Sequence, residues 1–98
     1  MRDFDPVVTI NQMGGQGKLR AMVGAEFYTN GTQKLTIRFK GSRKYNTLEI
    51  TLNFMDLYNM RFGQVGKNGF KEKKVIEDVY NDMLKPIFEQ TTGLYLSL

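Results

Sequence analysis

The chain contains no cysteine and no histidine. Disulfides, thiolate nucleophiles and imidazole bases are therefore excluded. The usual ligands for zinc, copper and iron are missing as well. Most hydrolases, metalloenzymes and acyl-transfer enzymes lose their central group, and the expectation is a protein without catalytic residues, metal or cofactor. Long hydrophobic runs are also missing. No segment approaches the roughly 20 apolar residues that span a bilayer. The opening MRDFDPVV carries acids where a signal peptide carries a basic region and then an apolar run. The expected location is the cytoplasm, with no membrane partner. There is no Pro-rich or Ser-rich linker, no internal repeat and no low-complexity tract.

What is present suits one small domain, residues 1–98, with 41% hydrophobic residues to build a core. A chain this short buries a modest fraction of its surface, so a homodimer is expected. The net charge is +4 and unevenly placed. Residues 18–48 hold Lys18, Arg20, Lys34, Arg38, Lys40, Arg43 and Lys44 against Glu26 alone. The segments on either side are each close to neutral. A basic segment of this kind points to a face that meets an anion; the alternative is a solubilising surface.

Periodicity predicts a sheet-rich fold. Residues 7–12 read as a short first strand. In residues 17–29 Leu19, Ala21, Val23, Ala25 and Phe27 alternate with polar neighbours, which predicts a half-buried strand. Gly24 is expected to mark a bulge or a close backbone approach. Asn30-Gly31 predicts a hairpin turn. Two further strands follow at 34–40 and 47–53, with Leu35, Ile37, Phe39, Leu48, Ile50 and Leu52 inward and Thr47, Glu49 and Thr51 outward. In residues 56–65 Tyr58, Met60 and Phe62 alternate with Leu57, Asn59 and Arg61, which predicts a fourth strand. Residues 70–77 are a short strand or an irregular lead-in. The helix comes last, capped by Glu77 or Asp78, with a stripe of Tyr80, Leu84, Ile87 and Phe88 beside Val79 and Met83. Pro86 either kinks it or starts a second turn, and Gly93 ends it. The tail LYLSL alternates and can add an edge strand. The expected fold class is α+β: an antiparallel sheet of four to six strands with one C-terminal helix packed on one face.

The stretch MGGQGKLRAM, residues 13–22, raises the question of a phosphate loop. A P-loop needs G-x-x-x-x-G-K-[ST] between a strand and a helix. With Gly17-Lys18 as the GK pair, Gln12 stands where glycine is required and Leu19 where the hydroxyl is required. The following residues also alternate like a strand. The glycines are expected to form a turn. Glu77, Asp78 and Asp82 fit a helix start better than a magnesium site. The run KEKK at 71–74 reads as a charged strand edge.

Tyr28 and Tyr45 lie beside cations, the combination on which single-stranded nucleic acid stacks its bases and pairs its phosphates; shielding of the core edge is the alternative. The candidate nucleic-acid-binding residues are thus Lys18, Arg20, Tyr28, Lys34, Arg38, Lys40, Arg43, Lys44 and Tyr45, all expected to converge on one open side of the sheet.

The segments GG…KLRAMVGAEFY, LEITLNFMDLYNMRFG and VYNDMLKPIFEQTTGLYLSL resemble a family of small uncharacterised bacteriophage-encoded proteins over residues 13–98. The ITLN…D-x-Y segment and the TGLYLSL ending are the most recognisable parts. The resemblance implies a phage accessory protein and names no catalytic residues. The order of strands followed by a helix also looks like the single-strand-binding domains of the transcriptional coactivator and Whirly-like type, a fold-level analogy that implies dimers. The leading expectation is a sequence-tolerant single-stranded DNA-binding protein. The alternatives are a protein that binds and inhibits a host protein, or one that sequesters small nucleotides.

Overall fold

The computed structural model describes residues 6–29, 34–42, 44–53, 55–67 and 69–94. Two short helices open the chain, α1 (Pro6–Gln12) and α2 (Gln16–Val23). Five strands follow: β1 (Glu26–Thr29), β2 (Lys34–Arg38), β3 (Thr47–Leu52), β4 (Tyr58–Gly66) and β5 (Gly69–Val79). A 3-10 turn, Asn81–Met83, leads into α3 (Leu84–Thr92). The strands form one antiparallel sheet in the order β1-β2-β3-β4-β5. The α+β class, the strand number and the C-terminal helix agree with expectation.

The two N-terminal helices do not. Residues 7–12 and 17–23 were expected as strand. In α2 the residues that go inward are Leu19 and Val23, four apart, while Ala21 is exposed. Small residues between apolar ones satisfy a period of two and a period of 3.6 equally, so a short stretch cannot separate them. Packing decides instead, since a helix of eight residues is not stable alone. Gly24 is no bulge. It adopts left-handed φ 63 as the C-cap of α2, and its N–H bonds to the Arg20 carbonyl at 3.0 Å.

The meander follows the alternation. Leu35, Ile37, Leu48, Ile50, Leu52, Tyr58, Met60 and Phe62 face one side and are buried against Met13, Leu19, Val23, Leu84 and Phe88 of the helical layer. Phe39 meets Phe88 edge to face, with centroids 5.1 Å apart. The opposite face of β3 was expected to be exposed, yet Thr47 and Glu49 are buried. As the central strand, β3 is flanked on both sides, and side chains from β2 and β4 fold over it. The Asn30-Gly31 turn lies outside the described residues, though β1 and β2 pair antiparallel on either side of it.

Residues 70–77 belong to a regular strand, interrupted twice. Lys73 is an extra residue between the Phe62–Lys74 and Gly63–Glu72 pairs, and Glu77 and Asp78 together oppose Asn59. Asp78 takes φ 56 in the second bulge. Its N–H bonds to Asn59 Oδ1 at 3.2 Å, and its Oδ1 accepts from Asn53 Nδ2 at 2.8 Å. Asp78 therefore holds a bulge and does not cap the helix, and Glu77 is part of the same strand.

The helix starts later than its stripe suggests. Leu84 and Phe88 are buried and Ile87 is half-buried, but Tyr80 and Met83 point outward and Val79 is buried from β5. Pro86 is then the third residue of α3, where the missing N–H has no intrahelical partner to lose. Gly93 ends the helix at φ 76, its N–H on the Glu89 carbonyl at 2.9 Å.

Candidate nucleic-acid interface

The nine residues singled out by sequence do not share one face. Tyr28, Lys34 and Arg38 lie on the side of the sheet away from the helices, since Tyr28 pairs with Thr36, Lys34 with Thr51 and Arg38 with Thr47. Lys18 and Arg20 lie on α2, in the layer on the other side. The Arg20 guanidinium stands 5.8 Å above the Phe27 ring. Tyr45 packs its ring against Phe62 at 5.7 Å and joins the core edge. Lys40 and Lys44 sit beyond the end of β2, both exposed. Arg43 lies outside the described residues.

The open face is electrically balanced. Lys34 Nζ is 3.5 Å from Glu49 Oε2, Arg61 reaches Glu49 Oε1 at 3.4 Å, and Arg61 also holds Glu72 Oε1 at 2.6 Å. Arg38 stands opposite Glu26 in the β1–β2 ladder. Lys34, Arg38 and Arg61 are thus matched by Glu26, Glu49 and Glu72. Tyr28 is 47% exposed, and its hydroxyl donates to Glu26 Oε2 at 2.6 Å. That hydrogen bond, with some desolvation and the Glu26 charge, raises the phenol pKa above its usual value, and Arg38 opposes the shift.

Lysines with no ion-pair partner among the described residues gather at one end of the sheet. Asn46 is its centre. The side chain continues the β3–β4 ladder past the last backbone pair: Oδ1 accepts from Val65 N–H at 2.8 Å, and Nδ2 donates to the Val65 carbonyl at 3.3 Å. Two hollows of about 340 and 370 Å3 meet at Asn46. Arg38, Lys40, Ser42 and Glu26 line the first, and Gln64, Lys67 and Lys71 the second. A third, of about 390 Å3, lies between Lys44 and the end of α3. The Ser42 hydroxyl shapes the loop by accepting from the backbone N–H of Lys44 at 3.4 Å and of Tyr45 at 3.3 Å. Lys40 extends across Gly24, where a Cβ would stand 3.6 Å from its Cδ.

Lys67 and Asn46 escaped the sequence reading, and Lys71 was read there only as part of a charged strand edge. Residues 49–98 sum to near neutrality, which hides two lysines that the β4–β5 hairpin carries to the β2–β3 loop. The usable signal was Gly66 and Gly69 closing a tight turn, with Gly66 paired to Gly69.

The glycine stretch joins two helices, Gly14 at φ 116 and Gly15 at φ 96. It feeds a helix and not the expected strand, but a helix precedes it, and Gln12 and Leu19 still break the phosphate-loop pattern. Among the described residues no group of three or more carboxylates is placed to hold a metal ion. No helix among them is long and apolar enough to cross a membrane. No family model, curated protein or solved structure matches the chain.

Proposed function

We propose that the protein binds single-stranded nucleic acid through its phosphates, with little sequence preference, at the basic end of the sheet. One observation carries this: Lys40, Lys67 and Lys71 line the two hollows that meet at Asn46, Lys44 lines the neighbouring one, and Glu26, opposite Arg38, is the one carboxylate among the described residues lining the three. A flexible strand bends into adjoining hollows, whereas a duplex, with a persistence length of about 50 nm, does not. Stacking is a minor term, because Tyr45 is committed to Phe62 and Tyr28 to Glu26. Binding dominated by phosphates is salt-sensitive and sequence-tolerant. An accessory role in phage replication or recombination, in the cytoplasm of the infected cell and without catalysis, is part of the same proposal.

Fluorescence anisotropy with labelled single-stranded DNA at low and high salt tests this. Lys67→Glu with Lys71→Glu abolishes binding, while Lys34→Glu, on the balanced face, leaves most of it. Equal loss from both would move the site to the open face. No binding of wild type at low salt would end the proposal.

Hollows of this size also suit a small ligand. A free nucleotide is therefore the second reading. It predicts a thermal shift with mononucleotides and none with oligonucleotides.

A further inference from the structure

The far end of the sheet has the opposite character. Val7 is 64% exposed, Tyr80 63% and Met55 60%, with Met83 beside them in the 3-10 turn. These residues come from three segments held together. α1 packs against the 3-10 turn. Thr9 Oγ1 donates to the Tyr58 hydroxyl at 3.3 Å, which fixes α1 over the start of β4. The Asn53–Asp78 hydrogen bond ties the Met55 turn to the end of β5.

Segments 6–12, 53–58 and 76–83 carry Asp56, Glu77, Asp78 and Asp82 and no lysine or arginine, and the half-buried Lys85 follows in the first turn of α3, leaving an excess of acid. Lys34, at the foot of β2, is held by Glu49. Exposed apolar side chains rimmed by charge mark a surface that is covered in use. We propose that this end docks a partner protein through a segment that sets apolar side chains beside lysines or arginines.

The charge selects this occupant over others. A second copy joined by the same end would bring carboxylates against carboxylates. A second copy joined head to tail would offer the basic end, where no large apolar residue among the described ones is exposed. An anionic lipid surface would be repelled. A cationic amphipathic segment satisfies both the apolar centre and the acidic rim.

The probe is a synthetic 14-residue amphipathic peptide of leucine and lysine, compared with a scrambled peptide of the same composition and with a leucine–glutamate counterpart. The readout is the NMR shift of the methionine methyls and the Tyr80 ring. The leucine–lysine peptide is expected to shift Met55, Met83 and Tyr80. Tyr80→Ser with Met83→Ser, both on exposed positions, should weaken binding at least tenfold with the thermal melt unchanged. Three outcomes would overturn the proposal: shifts absent from these residues, equal binding of the scrambled or glutamate peptide, or a dimer in sedimentation equilibrium that the double variant abolishes. Single-stranded DNA binding by the double variant remains at the wild-type level, since the two ends are separate.

Discussion

Salt dependence offers the sharpest quantitative check of the basic end. Four lysines line the hollows at this end, Lys40, Lys44, Lys67 and Lys71, while Arg38 is already matched by Glu26. On a single strand each neutralised phosphate adds about −0.7 to the slope of log K against log salt, so four contacts give about −2.8. Raising salt from about 50 to about 200 mM should then weaken binding roughly 50-fold. Lys67→Gln with Lys71→Gln removes two contacts, which lowers the slope to about −1.4 and the loss over the same range to roughly sevenfold. Lys34→Gln is the control. Its ammonium already faces Glu49 at 3.5 Å, so it releases little counterion on binding and the slope stays near the wild-type value. Anisotropy titrations at four or five salt concentrations give each slope directly. A double variant with the wild-type slope, whatever its affinity, would show that Lys67 and Lys71 touch no phosphate, and the proposed interface would be wrong.

Three further outcomes follow from the geometry. Gly63→Ala should destabilise the domain by about 1–3 kcal/mol in urea unfolding, because a Cβ there would meet the Lys71 carbonyl and stand 2.8 Å from the Phe70 ring. Asn46→Ala should cost about 1–3 kcal/mol in the same assay, since it strands the partly buried Val65 N–H. The Tyr28 phenol should titrate above the usual tyrosine value by NMR, and Glu26→Gln should bring it down. Because folding favours the neutral phenol, this contribution to stability is whole below the unfolded pKa and fades as pH rises through the folded one; a Tyr28 pKa indifferent to Glu26→Gln would refute the assignment.

Strands β2, β3 and β4 were legible because their inward residues are large and strictly alternate: Leu35 and Ile37, Leu48 to Leu52, Tyr58 to Phe62. β5 was half legible. Its alternation breaks at Lys73 and at Glu77–Asp78, and both breaks are bulges that appear only when β4 is laid alongside. Those bulges, with Lys71, Lys73 and Lys74, also protect the edge from strangers, which agrees with the reading of KEKK. The N-terminal helices were misread because Ala21 and the glycines carry no preference strong enough to separate the two periods. At the basic end of the sheet, Lys40 and Lys44 were among the sequence candidates, and Arg38 too, though Glu26 faces it. The error was geometric: a strand pattern shows which side a residue faces, but not whether a neighbouring carboxylate neutralises it. Glu49 and Glu72 take up Lys34 and Arg61 only through the register.

The charge polarity of the molecule arises from chain order in a meander. Successive connections in an antiparallel sheet fall at alternate ends. The β2–β3 connection brings Lys40 and Lys44, and the β4–β5 connection brings Lys67, so both arrive at one end. The β3–β4 connection brings Asp56, the last residues of β5 bring Glu77 and Asp78, and the 3-10 turn brings Asp82, so these arrive at the other. A modest bias in alternate loops thus becomes a separation along the strands, about 17–20 Å for strands of five or six residues. The two proposed surfaces lie a strand's length apart and do not compete. Saturating the protein with the leucine–lysine peptide should therefore leave its affinity for single-stranded DNA within about twofold, or tighten it slightly as acidic charge is covered. A peptide that displaces DNA at a concentration where it does not itself bind the labelled strand would place both ligands at the same end, and the assignment of one end to nucleic acid and the other to protein would fail.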